Sequence, residues 1–123
     1  MGQIEQVNWT PDNNEISWIV DGQSLHKRFR GNLGSVTQLR DKSGFLAIEN
    51  GSEAARDTAA IWNADGSLRC VLQDPFGPNS AHVFYYSHYV GERLHVVLAS
   101  SSGDVGYFVD ESTCQLSGRH EAR

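Results

Sequence analysis

Apolar and polar residues alternate along this chain in runs of four to ten, and turn-forming residues separate the runs. In residues 15–20 the apolar positions are Ile16, Trp18 and Val20, the period of a strand with one face on a core. The same pattern predicts strands over 3–9, 23–29, 36–39, 45–49, 58–63, 67–73, 81–90, 93–100, 104–109 and 113–117. The breaks between them are Pro11-Asp12-Asn13-Asn14, Asp21-Gly22, Gly31-Asn32-Leu33-Gly34, Asp41-Lys42-Ser43-Gly44, Ala64-Asp65-Gly66 and Gly91-Glu92. Each carries the residue types that tolerate positive φ or bond their own backbone. No window of eleven or more residues has a helical period. The stretch 52–56 (Ser-Glu-Ala-Ala-Arg) suits a single helical turn, too short to stand alone. The tail 118–123 is polar and predicted to fray.

A threefold echo runs through this pattern. Ile16-Ser17-Trp18-Ile19-Val20-Asp21-Gly22-Gln23-Ser24-Leu25 returns as Ala60-Ile61-Trp62-Asn63-Ala64-Asp65-Gly66-Ser67-Leu68, and in degraded form as Val105-Gly106-Tyr107-Phe108-Val109-Asp110 through Leu116. Gly22 and Gly66 lie 44 residues apart, and Asp65 and Asp110 lie 45 apart, a period typical of four-stranded propeller blades. Trp18 and Trp62 hold the same place in the two clear copies, which assigns both to the core; Trp9 has no counterpart. A closed propeller generally needs at least four blades, more than 123 residues supply. The expectation is therefore one all-β domain over 1–123, an antiparallel β-sandwich or partial barrel of about ten short strands built from blade-like repeats.

Charge adds a bias. The net charge is −5, which gives no general attraction to nucleic acid or to an anionic membrane. The distribution is uneven: residues 1–22 hold Glu5, Asp12, Glu15 and Asp21 without a cation, whereas 23–42 hold Lys27, Arg28, Arg30, Arg40 and Lys42 against Asp41 alone. Cys70 and Cys114 lack metal-ligand spacing and a Cys-x-x-Cys motif. Spacing alone leaves a disulfide open, and the simplest expectation is a cytoplasmic protein with two reduced, structural thiols. The start of the sequence is polar, with no apolar core of a signal peptide, and no run reaches membrane-spanning length.

Candidate chemistry concentrates in residues 81–90. Alternation places His82, Phe84, Tyr86 and His88 on one face and Tyr85, Ser87 and Tyr89 on the other, with His95 on the partner strand. Imidazoles beside a tyrosine could serve acid–base hydrolysis, but His82 and His88 stand roughly 20 Å apart along an extended strand, too far for one metal. Tyr85 and Tyr89 suit a protein-binding row. Loops offer Glu53 and Asp57 in 50–57, and Phe76 in 74–80. Phosphate-binding, zinc-protease, nucleophile-elbow and calcium-loop signatures are absent. No cofactor and no metal are expected.

Across residues 36–118 the chain resembles small bacterial all-β proteins of propeller-like half-blades. The residues that carry the likeness are Val36, Leu39 and Gly44-Phe45-Leu46-Ala47-Ile48, then Trp62-Asn63-Ala64-Asp65-Gly66-Ser67-Leu68-Arg69, then Tyr107-Phe108-Val109-Asp110 and Leu116. Some such proteins resemble immunity proteins of polymorphic toxin and contact-dependent growth inhibition systems, which bind a toxin domain and block it. That resemblance implies a non-enzymatic, cytoplasmic, protein-binding chain, monomeric or weakly self-associating. Its partner would be a cognate toxin; the resemblance transfers no contact residue, and the loops, the aromatic row and the acidity of the chain point to a basic, nuclease-type domain met through Glu53, Asp57, Phe76, Tyr85 and Tyr89. The alternatives are a small hydrolase or nuclease using His82, His88 or His95 with a tyrosine, and a structural protein that joins copies through sheet edges.

Overall fold

Asp-Gly and Asp-x-Ser turns fold the predicted runs back on themselves as antiparallel meanders. The computed structural model describes residues 2–10, 13–51, 57–77 and 82–122. Among them there is no helix, and eleven strands form three antiparallel sheets. Sheet 1 is β1 (Ile4–Asn8), β2 (Glu15–Val20) and β3 (Gln23–Arg28). Sheet 2 is β4 (Leu33–Gln38), β5 (Gly44–Glu49), β6 (Thr58–Asn63) and β7 (Leu68–Val71). Sheet 3 is β8 (Val83–Val90), β9 (Arg93–Ala99), β10 (Asp104–Val109) and β11 (Leu116–Ala122). Strand order follows chain order within every sheet. Each copy of the sequence echo supplies the last hairpin of one sheet. The suggested helical turn at 52–56 lies outside the described residues.

The sandwich packing is doubled. Sheet 2 is covered on both faces, so β5 is buried at every position from Gly44 to Ile48. Phe45, Ala47, Leu33 and Ala64 pack against Ile4, Ile16, Trp18 and Phe29 of the sheet 1 side. Leu39, Leu46, Ile48, Ala59, Ile61 and Leu72 pack against Phe84, Leu94, Val96, Leu98, Tyr107 and Val109 of sheet 3. Trp18, fully buried, also donates Nε1–H to the Ala64 carbonyl at 2.8 Å, which ties sheet 1 to the turn of sheet 2. Trp62 is only half-buried and caps the same cluster beside Phe29. Trp9 is likewise half-buried against it.

Sheets 2 and 3 are joined by polar links as well. Thr37 on β4 donates to the Ser87 carbonyl at 3.0 Å, and the Ser87 N–H donates to Ser35 Oγ at 3.1 Å. Arg69 on β7 donates Nε–H to Asn63 Oδ1 (2.6 Å), Nη1–H to the Glu111 carbonyl (3.0 Å) and Nη2–H to the Ser43 carbonyl (3.1 Å). One guanidinium thus holds three turns at the same end of the stack. Cys70 on β7 and Cys114 in the β10–β11 turn form a disulfide, with Cα atoms 5.8 Å apart. This corrects the expectation of two reduced thiols: the sheet stacking brings together residues 44 apart in sequence. The expectation of a frayed tail is corrected as far as Ala122, where β11 ends as the edge strand of sheet 3. No helix among the described residues is long and apolar enough to cross a membrane.

Candidate functional site

Sheet 3 has one face on the core; its outer face carries the densest chemistry in the molecule. A bulge in β8 decides which side chains reach it. Phe84 pairs with Leu98, but Tyr86 pairs with Val97, so the strand gains a residue and its alternation slips. Phe84, Ser87 and Tyr89 therefore point inward, and Tyr86 and His88 point outward. The uniform alternation drawn from sequence, with His82 and Phe84 sharing the face of Tyr86 and His88, is corrected by that extra residue. His82 instead stacks on Phe76 with ring centroids 3.9 Å apart.

On the outer face the rings form a continuous series. Tyr85 contacts Tyr86 (5.2 Å between centroids), Tyr86 contacts His88 (5.2 Å), and His88 contacts His95 (4.9 Å). His95 lies against Phe108 (5.4 Å) and stacks on His120 (4.9 Å), and the Arg93 guanidinium sits 3.8 Å over Phe108. Three imidazoles are hydrogen-bonded in a line. His88 Nε2 is 2.8 Å from His95 Nδ1, His95 Nε2 is 2.8 Å from His120 Nε2, and His120 Nδ1 is 2.5 Å from the Gly118 carbonyl. Gly106 on β10 makes room for this line, because a Cβ there would overlap His95 Nε2 and His120 Nε2.

The chemistry of that line is limited. His95 is buried, at 4% exposure, and burial, then the neighbouring His88 and His120, push its pKa down to about 4. A base of that strength is poorly matched to proton abstraction near neutrality. No group of three or more His, Cys, Asp or Glu among the described residues could hold a metal. The histidines run in file and do not converge on a point.

The residues singled out as partner contacts fall in three places. Glu53 lies outside the described residues. Asp57 closes its loop by accepting the Gly51 N–H at 2.6 Å, and it lines a groove shared with Asp74, Gly77 and Phe84. Phe76 folds back against the core, under the Arg119 guanidinium at 5.1 Å and beside Tyr107. Tyr85 is 56% exposed. Tyr89 sits at the far end of β8, half-buried: its hydroxyl accepts the Arg40 N–H and donates to Glu111, both at 3.0 Å. Burial, first of all, pushes its pKa up to about 12. The structure therefore brings Asp57 and Phe76 to one end of the stack and leaves Tyr89 at the other. His120 was missed by sequence reasoning because it sits in the tail expected to fray; its only signal was the single histidine in that segment.

At the end where Tyr89 lies, each hairpin turn presents a carboxylate. Asp21, Asp41, Asp65, Glu92 and Asp110 are all exposed. Ser43 and Ser67 donate side-chain and backbone hydrogen bonds to Asp41 and Asp65, and the Ser112 and Thr113 N–H groups donate to Asp110. These bonds hold all three carboxyls below the usual carboxylate range.

No family model matches the sequence, and no curated protein matches it. A chain in the solved structure of Tne2 in complex with Tni2 is similar to this one, with a TM-score of 0.73 at 14% identity, over 94% of this chain and 82% of that one. The likeness is one of fold: the all-β architecture built here by the threefold repeat recurs there across nearly the whole length.

Proposed function

We propose that this chain is a non-enzymatic binding module, an immunity protein that binds and neutralises a cognate bacterial toxin domain. The observation that carries this reading is the fold likeness over 94% of the chain to a member of a solved two-protein complex, added to the resemblance already drawn from residues 36–118. We further infer a basic, nuclease-type toxin within a polymorphic toxin or contact-dependent growth inhibition system. Support comes from the net charge of −5 and from the row of exposed turn carboxylates, three of them held firmly ionised. Such a row speeds encounter with a basic partner. On this reading Tyr85 is the aromatic anchor, Asp57 and Glu53 supply loop charge, and Phe76 and Tyr89 brace the surface from beneath. The weak basicity of His95 favours binding over hydrolysis.

Co-purification of the tagged protein with the product of the adjacent gene tests the proposal. Stoichiometric recovery of a basic domain, and rescue of cells expressing that domain, are the expected results. Failure to bind any toxin encoded beside it sinks the reading. Thiol alkylation of protein taken from its host reads the compartment. Blocked Cys70 and Cys114 place it in an oxidising one, and free thiols place it in the cytoplasm.

A further inference from the structure

The histidine line on sheet 3 has a definite proton order. The Gly118 carbonyl can only accept, so His120 Nδ1 carries a proton and donates it. The Nε2 of neutral His120 is then a bare acceptor, and His95 Nε2 must be the donor to it. Neutral His95 therefore presents a bare Nδ1, and His88 Nε2 must donate in turn. Three neutral rings satisfy the whole line with one tautomer each, all pointing toward β11. His88 Nδ1 makes no hydrogen bond among the described residues. His88 is also exposed, so it can take a proton without disturbing a partner. One added proton is tolerated wherever it enters, because the tautomers can reverse along the line until His88 Nδ1 carries a proton and each nitrogen–nitrogen gap still holds one. A second added proton has no such place: it must enter a gap that already holds one, which sets two donors against each other.

We propose that the His88–His95–His120 line is an acid-sensitive latch that fastens the edge strand β11 to sheet 3, holds with one added proton and lets go when it takes up a second. β11 is the strand placed to move. It pairs with β10 alone, and that pairing is already interrupted by a register shift between Gly106 and Phe108. Gly118 in the shifted segment has φ +68°. The buried ring is His95 on β9, so the link from His95 to His120 spans β10 and holds the edge from beneath. The charged and titratable groups around the line are His88 on β8, Arg93 on β9, Asp104 on β10, and Arg119 and Glu121 on β11. His82 lies across the groove that His120 shares with Asp104 and Arg119. Arg93 is directed over Phe108; Asp104 and Glu121 line the groove beside His120, but neither carboxylate hydrogen-bonds to the line among the described residues. The depressed basicity of His95 agrees with that arrangement.

Amide hydrogen exchange, corrected for the intrinsic effect of pH, tests the latch. Between about pH 7.5 and about pH 5, protection over Leu116–Ala122 should fall by at least about tenfold, given an ordinary histidine pKa in the open form. Protection over Gly44–Glu49 should not change. His120→Phe, which keeps a ring in the stack and cannot titrate, should abolish the pH dependence of β11. His88→Gln, which leaves the His95–His120 bond in place, should retain it. Equal protection of β11 at both pH values, or an unchanged pH response in His120→Phe, overturns the proposal. Should His120→Phe fail to fold, imidazole nitrogen spectra of the unmodified protein decide. The Nδ1–H form of His120 with the Nε2–H forms of His88 and His95 supports the latch, and any other tautomer set overturns it.

Discussion

Arg69 and His95 show how single residues in this protein act across sheets. The Arg69 guanidinium donates to Asn63, Ser43 and Glu111, in three different turns. Hydrogen bonds from a charged group contribute more than neutral ones, and their loss strands part-buried acceptors. Arg69→Met should therefore cost about 2–4 kcal/mol, read as a lower urea midpoint. Arg69→Lys should recover little, since an ammonium cannot reach three turns with a planar fork. His95 makes stability depend on pH. Its folded pKa is lowered to about 4 from 6.5, so the unfolded chain binds the proton more readily in between. Its contribution is complete above the unfolded value and is lost as pH falls from about 6.5 towards about 4. In that window unfolding measurements should show falling stability, and His95→Phe should flatten the curve. Asp41, Asp65 and Asp110 have lowered pKa values. Their contribution is present above the ordinary carboxylate value and is lost as pH falls below it, a separate and more acidic window.

At the scale of elements, the disulfide and the bulges matter most. Cys70 and Cys114 close a loop of 44 residues and clamp β7 to the β10–β11 turn. Joint replacement Cys70→Ser with Cys114→Ser should lower stability by roughly 2–4 kcal/mol, and reducing agent should reproduce the effect in the unmodified protein. Calorimetry with and without reductant measures it; an unchanged melting temperature would mean the pair contributes nothing. The same elements explain what could be foreseen. Asp21-Gly22 and Ala64-Asp65-Gly66 announce hairpins because their backbones need positive φ, and Gly22 and Gly66 have φ of 77° and 90°. The third turn hides this signal. There Asp110 accepts the Ser112 and Thr113 N–H groups, and the positive φ of 65° falls on Cys114. The strands were legible from alternation, but the outer face of sheet 3 was not. An extra residue between Phe84 and Tyr86 changes which residues share a side, and pattern alone does not mark a bulge. His120 was hidden because a polar tail reads as frayed until one sees Gly106 leaving room for its ring. Sheet stacking, a matter of partners distant in sequence, also decided the pairing of Cys70 with Cys114.

The described residues form a stack of three sheets in which sheet 2 is covered on both faces. Its charge is arranged along the same axis. The hairpin turns gather Asp21, Asp41, Asp65, Glu92 and Asp110 at one end, all exposed. Several cations lie against rings: Lys27 over Trp62 at 3.9 Å, Arg40 over Tyr89 at 4.5 Å and Arg93 over Phe108 at 3.8 Å. Arg40 and Arg93 belong to this end as well, each turned onto a ring, and Lys42 is exposed beside Asp41, so the turn tips present more carboxylates than free cations. A basic partner should therefore approach the turn end first, and its association should depend on salt. Raising ionic strength from about 50 mM to about 500 mM should slow association by about tenfold or more, with a smaller change in dissociation. Asp21→Asn, Asp65→Asn and Asp110→Asn together should slow it at low salt and flatten the salt dependence. An asparagine oxygen can still accept the turn hydrogen bonds, so the fold is kept while the charge is removed. Tyr85→Ala should act the other way, leaving the association rate alone and speeding release, as loss of an anchor does. Stopped-flow association with the co-purified domain separates the two. Rates indifferent to both salt and the triple substitution would detach the turn carboxylates from recognition and move the search for the docking surface to the outer face of sheet 3.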